Sequence, residues 1–179
     1  MKKIIANKVS ILILILTSSV NAQETIFTAA RNNNSKLLSE LLLKKAAIDS
    51  TDERGSTALI IACYNDNFEA AKILLEKGAN PNIQDKMGNT ALMGVCFKRL
   101  DKIAQLLLEY KINLNQSNYN GATALIFAAT FGADNIIKML IDKGVDKTVR
   151  DNYNKTALDY ALLQENETTI QLLKKDTVK

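Results

Sequence analysis

Gly55-Ser56-Thr57-Ala58-Leu59 decides how this chain folds, because it returns as Gly88-Asn89-Thr90-Ala91-Leu92, Gly121-Ala122-Thr123-Ala124-Leu125 and Asn154-Lys155-Thr156-Ala157-Leu158. The spacing is 33 residues at every step. A fixed period of that size is the signature of a repeat architecture in which each copy forms one supersecondary unit. The end of the unit repeats in register too, with Lys77-Gly78-Ala79-Asn80 matched by Lys143-Gly144-Val145-Asp146. Counting back one period reveals a cryptic first copy, where Ile26, Ala29, Leu41, Leu42 and Asp52 take the places of Leu59, Ala62, Leu74, Leu75 and Asp85.

Each copy reads as a turn followed by two helices. Asn, Asp and Gly mark the turn, and Thr57 or Ser56 is placed to cap the free amides of a short helix over Thr57 to Tyr64. A second helix is expected from Phe68 to Lys77, with Ala70, Ala71, Ile73, Leu74 and Leu75 mostly on one side and Gly78 as the left-handed residue that ends it. Such a pair cannot bury its apolar side alone, so stability has to come from stacking copies in series.

These residues resemble the ankyrin repeat, whose period they share and whose Gly-x-Thr-Pro-Leu-His-x-Ala-Ala opening they match in all but two positions. Ala58, Ala91, Ala124 and Ala157 stand where that family usually has Pro, and Ile60, Met93, Ile126 and Asp159 where it usually has His. The resemblance covers the chain from residue 23 onward. It implies an all-α ankyrin-repeat solenoid of stacked helix-turn-helix units with turn-rich connecting loops, with units of about 23–54, 55–87, 88–120, 121–153 and 154–179. The family's His knits adjacent loops by hydrogen bonds, so its absence implies looser loops. The packing columns Leu59/Leu92/Leu125/Leu158 and Ala62/Val95/Ala128/Ala161 are intact. The third unit is irregular: Arg99 replaces the small residue between the helices and Lys111 the terminating Gly, which in a left-handed conformation costs on the order of 1 kcal/mol. It is therefore expected to be the weakest. The first unit, with Ser35, Ser39 and Glu40, and the last, with Glu165, Glu167, Gln171, Lys174 and Lys175, read as polar caps on the open ends.

Met1 to Ala22 has the outline of a secretory signal peptide: Lys2, Lys3 and Lys8, then the uncharged run Val9 to Val20, then Val20-Asn21-Ala22 before a cut that would leave Gln23 as the first residue. The run is well short of the roughly 20 apolar residues that span a bilayer. Export to the periplasm or the medium is expected, with no membrane insertion after cleavage. Without residues 1–22 the formal charge falls from +4 to +1, so the basicity belongs mostly to the signal. The remaining acids and bases are interspersed without a run of either sign, which disfavours nucleic acid as a partner.

The sequence contains no His, which removes Ser-His-Asp and Cys-His nucleophile systems and the commonest metal ligand. Asp52, Asp85 and Asp151 recur at one repeat position and read as turn formers that accept local backbone amides, not as catalytic carboxylates. The seven glycines are scattered, so no phosphate-binding loop is present. No catalytic residue, cofactor or metal is expected. Cys63 and Cys96 are one period apart, on first helices expected to stack about 8 to 10 Å from each other. A disulfide needs α-carbons within roughly 7 Å and converging side chains, whereas translated copies point the same way, so two separate thiols are expected.

Ankyrin arrays usually bind protein ligands on the concave surface made by the turn tips and the exposed ends of the first helices. In this sequence the tips carry Glu53, Arg54 and Ser56, then Lys86, Met87 and Asn89, then Tyr119, Asn120 and Ala122, then Asn152, Tyr153 and Lys155. The helix-end column is Arg31, Tyr64, Phe97, Thr130 and Leu163, with Phe131 beside Thr130. Aromatic and Arg side chains are the usual energetic anchors of interfaces. Tyr64, Phe97, Tyr119, Tyr153, Met87, Arg54 and Phe131 are therefore the candidate protein contacts, although Tyr64 and Phe97 could instead pack between neighbouring first helices. The resemblance, to the exported bacterial type of the family, implies a monomeric, non-enzymatic protein-binding module acting as an inhibitor, immunity or accessory protein. A secreted effector engaging host proteins is the alternative, and an enzyme using carboxylates the remote one.

Overall fold

The computed structural model describes residues 25–174, so the expected signal segment, residues 1–22, lies outside the described residues. Ten helices are present among the described residues, arranged as five antiparallel pairs: α1 (Ile26–Arg31) with α2 (Ser35–Leu43), α3 (Ala58–Tyr64) with α4 (Phe68–Glu76), α5 (Ala91–Lys98) with α6 (Asp101–Leu107), α7 (Ala124–Phe131) with α8 (Asp134–Asp142), and α9 (Ala157–Leu163) with α10 (Glu167–Lys174). Each first helix packs on its own second helix and on the first helix of the next pair, and the second helices form a parallel row behind. The only extended pairing among the described residues is two isolated bridges, Thr51 with Thr57 and Ser117 with Thr123. The fold is the all-α solenoid that the period implied.

Local chemistry starts each pair. Thr57, Thr90, Thr123 and Thr156 cap the first helices, each hydroxyl accepting the amide three residues on at 3.2–3.4 Å. Leu59, Leu92 and Leu125 are buried, as are Ala62, Val95, Ala128 and Ala161, and Leu74, Leu107, Leu140 and Leu173 form the equivalent column of the second helices. The first helices pack on one another more extensively than the second helices do. The Ala and Cys side chains between them take little space, whereas Leu and Ile separate the second helices.

The residue between the two helices is left-handed in all five units: Asn33, Asp66, Arg99, Gly132 and Glu165 have φ between 50° and 66°. The helix-ending site behaves differently. Gly78 and Gly144 are left-handed, and so is Lys45 in the first unit. At each, the next amide bonds five residues back into the helix, as Ala79 does to Leu74 at 2.9 Å and Val145 to Leu140 at 3.1 Å. The expected strain at Lys111 is absent, since that residue is not left-handed. The third unit instead gives up length: α6 stops at Leu107, two residues before the equivalent ends of α4 and α8, and closes with Glu109 N–H to Leu106 and Tyr110 N–H to Leu107. A tighter final turn satisfies the last carbonyls without a glycine.

The ends of the stack are only partly capped. Glu165, Glu167, Gln171 and Lys174 face solvent as expected, and Lys175 lies outside the described residues. Leu162, however, is half exposed at the position where Ala30, Cys63, Cys96 and Ala129 are sealed by the next unit. No sixth unit follows it among the described residues.

Candidate protein-binding surface

The tip loops are built by one carboxamide or carboxylate each. Asp52 Oδ1 accepts the amides of Arg54 and Ser56 at 2.8 and 2.9 Å, and Asp85 Oδ1 those of Met87 and Asn89 at the same two distances. Asn118 and Asp151 do the same in the next two loops. The recurrent aspartates are turn formers, and Asn118 is the fourth member of their column. Neighbouring tips are joined by backbone: Lys86 N–H donates to Arg54 O, Tyr119 N–H to Met87 O and Asn152 N–H to Asn120 O, at 3.0–3.2 Å. That ladder joins neighbouring loops without a histidine.

Glycine at the tips is required by the following loop. Gly88 has φ 80°, and a Cβ there would lie 2.6 Å from the Tyr119 backbone nitrogen; at Gly121 it would lie 2.9 Å from that of Asn152. Asn154, the fourth of the series, is equally left-handed at φ 60°, but no further tip among the described residues packs on it, so a side chain fits.

In front of the first helices lies an open groove of about 850 Å³. Its floor is apolar, from Ile60, Ile61, Met93, Gly94 and Phe127, with Tyr64 and Phe97 beside them, and its rim comes from the tips at Glu53, Arg54, Lys86 and Met87 and from Arg31. Tyr64 and Phe97 stack with ring centres 6.2 Å apart and planes 9° from parallel, and Phe97 meets Phe131 edge to face at 4.6 Å. Phe127 continues the row at 6.4 Å from Phe131, and the Lys98 ammonium sits 5.1 Å over the Tyr64 ring.

The carboxylates with shifted ionisation, Asp146, Asp151 and Asp159, lie away from this groove, in the last two units. Partial burial opposes charge on Asp151, but the Tyr160 hydroxyl at 2.5 Å, the amides of Lys155 and Tyr153 and the Lys155 charge outweigh it, so its pKa falls below the usual value. The same bond, with burial, pushes Tyr160 up to about 12. Asp159 is held low by the backbone and hydroxyl of Thr156 and by Arg150 at 3.6 Å. Each of these groups has a local structural partner. Among the described residues no cluster of three or more His, Cys, Asp or Glu is placed to hold a metal ion.

Residues 26–118 match the family described as ankyrin repeats (3 copies), and residues 107–161 match ankyrin repeats (many copies). The chain belongs to the ankyrin-repeat family. No curated protein matches it closely enough to count as a relative. Ankyrin repeats are protein–protein interaction modules, typically without catalytic activity.

Of the residues singled out in its sequence, Tyr64, Phe97, Met87 and Arg54 come together in the groove, with Phe131 extending the aromatic row. Tyr119 and Tyr153 are the most exposed of the aromatic candidates, at 68% and 73%, but stand on later tips outside the groove lining. The two readings of Tyr64 and Phe97 are not exclusive: each contacts a ring of the adjacent unit while remaining 45% and 38% exposed. Sequence reasoning missed the floor, Ile60, Ile61, Met93, Gly94 and Phe127. The signal for part of it was present as one column at the repeat spacing, Thr28, Ile61, Gly94, Phe127 and Tyr160. Cys63 and Cys96 are free, fully buried thiols, and burial pushes both well above the ordinary thiol pKa.

Proposed function

We propose that this protein is exported and acts outside the cytoplasm as a non-enzymatic binding partner, an inhibitor, immunity or accessory protein that grips another protein through the groove face. The observation that carries the reading is the uninterrupted row Tyr64, Phe97 and Phe131 beside an apolar floor, exposed next to ordered tips. Large rings held in place by neighbours lose little freedom on contact, so the area they bury on binding is gained at low entropic cost. The export half of the reading is supported by Lys2, Lys3 and Lys8 ahead of the Val9 to Val20 run and by Ala22 before Gln23.

Two measurements test it. Intact mass of the protein recovered from periplasm or medium is expected to correspond to a chain beginning at Gln23; an uncut chain confined to the cytoplasm would overturn export. Capture from the same fractions, comparing wild type with the Tyr64→Ala, Phe97→Ala, Tyr119→Ala, Tyr153→Ala variant, is expected to recover a partner with the first only. If both recover it equally, the assignment of the binding face is wrong. Assaying the recovered partner with and without the protein then separates inhibitor from accessory.

A further inference from the structure

We propose that Asn120 is a modification site, where the side-chain amide is lost to water through a cyclic imide formed with Gly121, and that the isoaspartate product unlatches the last unit of the stack.

Asn120 is the only asparagine in the sequence that precedes a glycine. The pairing matters because the reaction needs the backbone nitrogen of the following residue to reach the asparagine side-chain carbon, and glycine presents no Cβ and a wide range of backbone angles. Asn120 is exposed on the third tip, in the position held by Arg54, Met87 and Tyr153 on the others, none of which has this chemistry. The glycine beside it is fixed by the fold: Gly121 has φ 76°, and a Cβ there would lie 2.9 Å from the Asn152 nitrogen. Stacking thus holds a glycine next to whatever residue occupies position 120, and that residue is asparagine.

In the reaction the Gly121 nitrogen gives up its proton and bonds to Asn120 Cγ, the Cγ–Nδ2 bond breaks, and ammonia leaves. Water then opens the five-membered ring. Attack at Cγ gives aspartate, and attack at the former main-chain carbonyl gives isoaspartate, whose main chain runs through Cβ and Cγ. Either way one amide and one water become one carboxylic acid and one ammonia, with no change of oxidation state and one added negative charge at neutral pH. The native loop resists the first step, because the Gly121 N–H donates to Asn118 O at 2.9 Å. Ring closure therefore proceeds from a locally opened tip, of the kind that exposed loops visit at low free energy.

The isoaspartate product cannot rebuild the native joint. Asn120 O accepts the Asn152 N–H at 3.0 Å, and that bond, with Asn152 Nδ2 to Tyr119 O at 3.1 Å, ties the third tip to the fourth. In isoaspartate the accepting carbonyl has become a free carboxylate off a lengthened main chain, which releases the fourth tip and α9 behind it.

The test ages the purified protein in mildly alkaline buffer, with and without urea, and follows conversion of amide to acid by peptide mass spectrometry, with enzymatic methylation to separate isoaspartate from aspartate. Conversion is expected at Asn120, with isoaspartate among the products, and severalfold faster in urea. In the aged protein, hydrogen exchange at the Asn152 amide and in α9 should accelerate while that of α3 to α6 stays as in fresh protein. Fresh Asn120→Asp carries the charge without the longer main chain and should exchange as wild type does; Asn120→Gln, which cannot close the five-membered ring, should remain unmodified. No conversion at Asn120, equal conversion at asparagines that no glycine follows, or conversion as fast in the folded protein as in urea would overturn the proposal. So would aged protein whose Asn152 and α9 exchange is unchanged, or the same acceleration in fresh Asn120→Asp, which would assign the effect to charge.

Discussion

Arg99→Gly should stabilise this protein, and the expected size follows from its backbone. Arg99 has φ 59° and ψ 42°, inside the left-handed region, at the link where Gly132 holds φ 66° in the next unit. That conformation costs an L-residue about 1–2 kcal/mol because Cβ crowds the following carbonyl. Glycine removes the crowding but enlarges the unfolded ensemble, which takes back about 0.4–1 kcal/mol. Arg99 is exposed and in no ion pair among the described residues, so little packing is lost. The net gain is about 0.5–1 kcal/mol, or a rise in Tm of about 1–4 °C for a domain of this size. Urea unfolding followed by circular dichroism measures it as a higher midpoint at unchanged slope. Asp66→Gly is the internal comparison: Asp66 is left-handed at φ 58°, but aspartate tolerates that region, so its gain should be close to zero. A lower midpoint for Arg99→Gly, or an equal gain for Asp66→Gly, would refute the idea that strain at this link limits the stack.

Acid should open the protein from its last unit. Asp151 and Asp159 both have folded pKa values below the ordinary carboxylate 3.8, so their contribution is complete above that pH and is lost as pH falls through the lower folded values. Hydrogen exchange in α9 and α10 is expected to accelerate below pH 3.8 before that of α3 to α8, and Asp151→Asn should blunt the effect; uniform loss along the stack would contradict it. The thiols give a second check. Native protein should show no two-dalton mass deficit under non-reducing conditions, and Cys63 and Cys96 should react with iodoacetamide only as fast as the chain unfolds, since burial disfavours both thiolates. Rapid labelling under native conditions would show that the seam between the first helices opens.

A period of 33 residues, Leu and Ala columns at matching positions and the recurrent Asp52, Asp85 and Asp151 at the heads of turns were enough to specify helix pairs, their number and their order of stacking. The reason is that a repeat stack is nearly one-dimensional: each unit touches only its neighbours, so identity of position in the sequence becomes identity of environment in space. Cys63 and Cys96 were legible as parallel, unbridged thiols for the same reason. Lys111 was misread because a chain lacking a terminating glycine has two exits, strain or a shorter helix, and the choice depends on how the last turn packs. The binding face was half legible. Tyr64, Phe97, Met87 and Arg54 could be picked out as exposed, but that they meet in one groove, that Tyr119 and Tyr153 stand outside it and that Ile60, Ile61, Met93 and Phe127 line it depended on side chains converging from successive units. The sequence by itself determined the stack, because nearest-neighbour burial is written into every copy. Only the tertiary structure decided the shape of the surface, because that shape arises where the copies differ and from the distances between them.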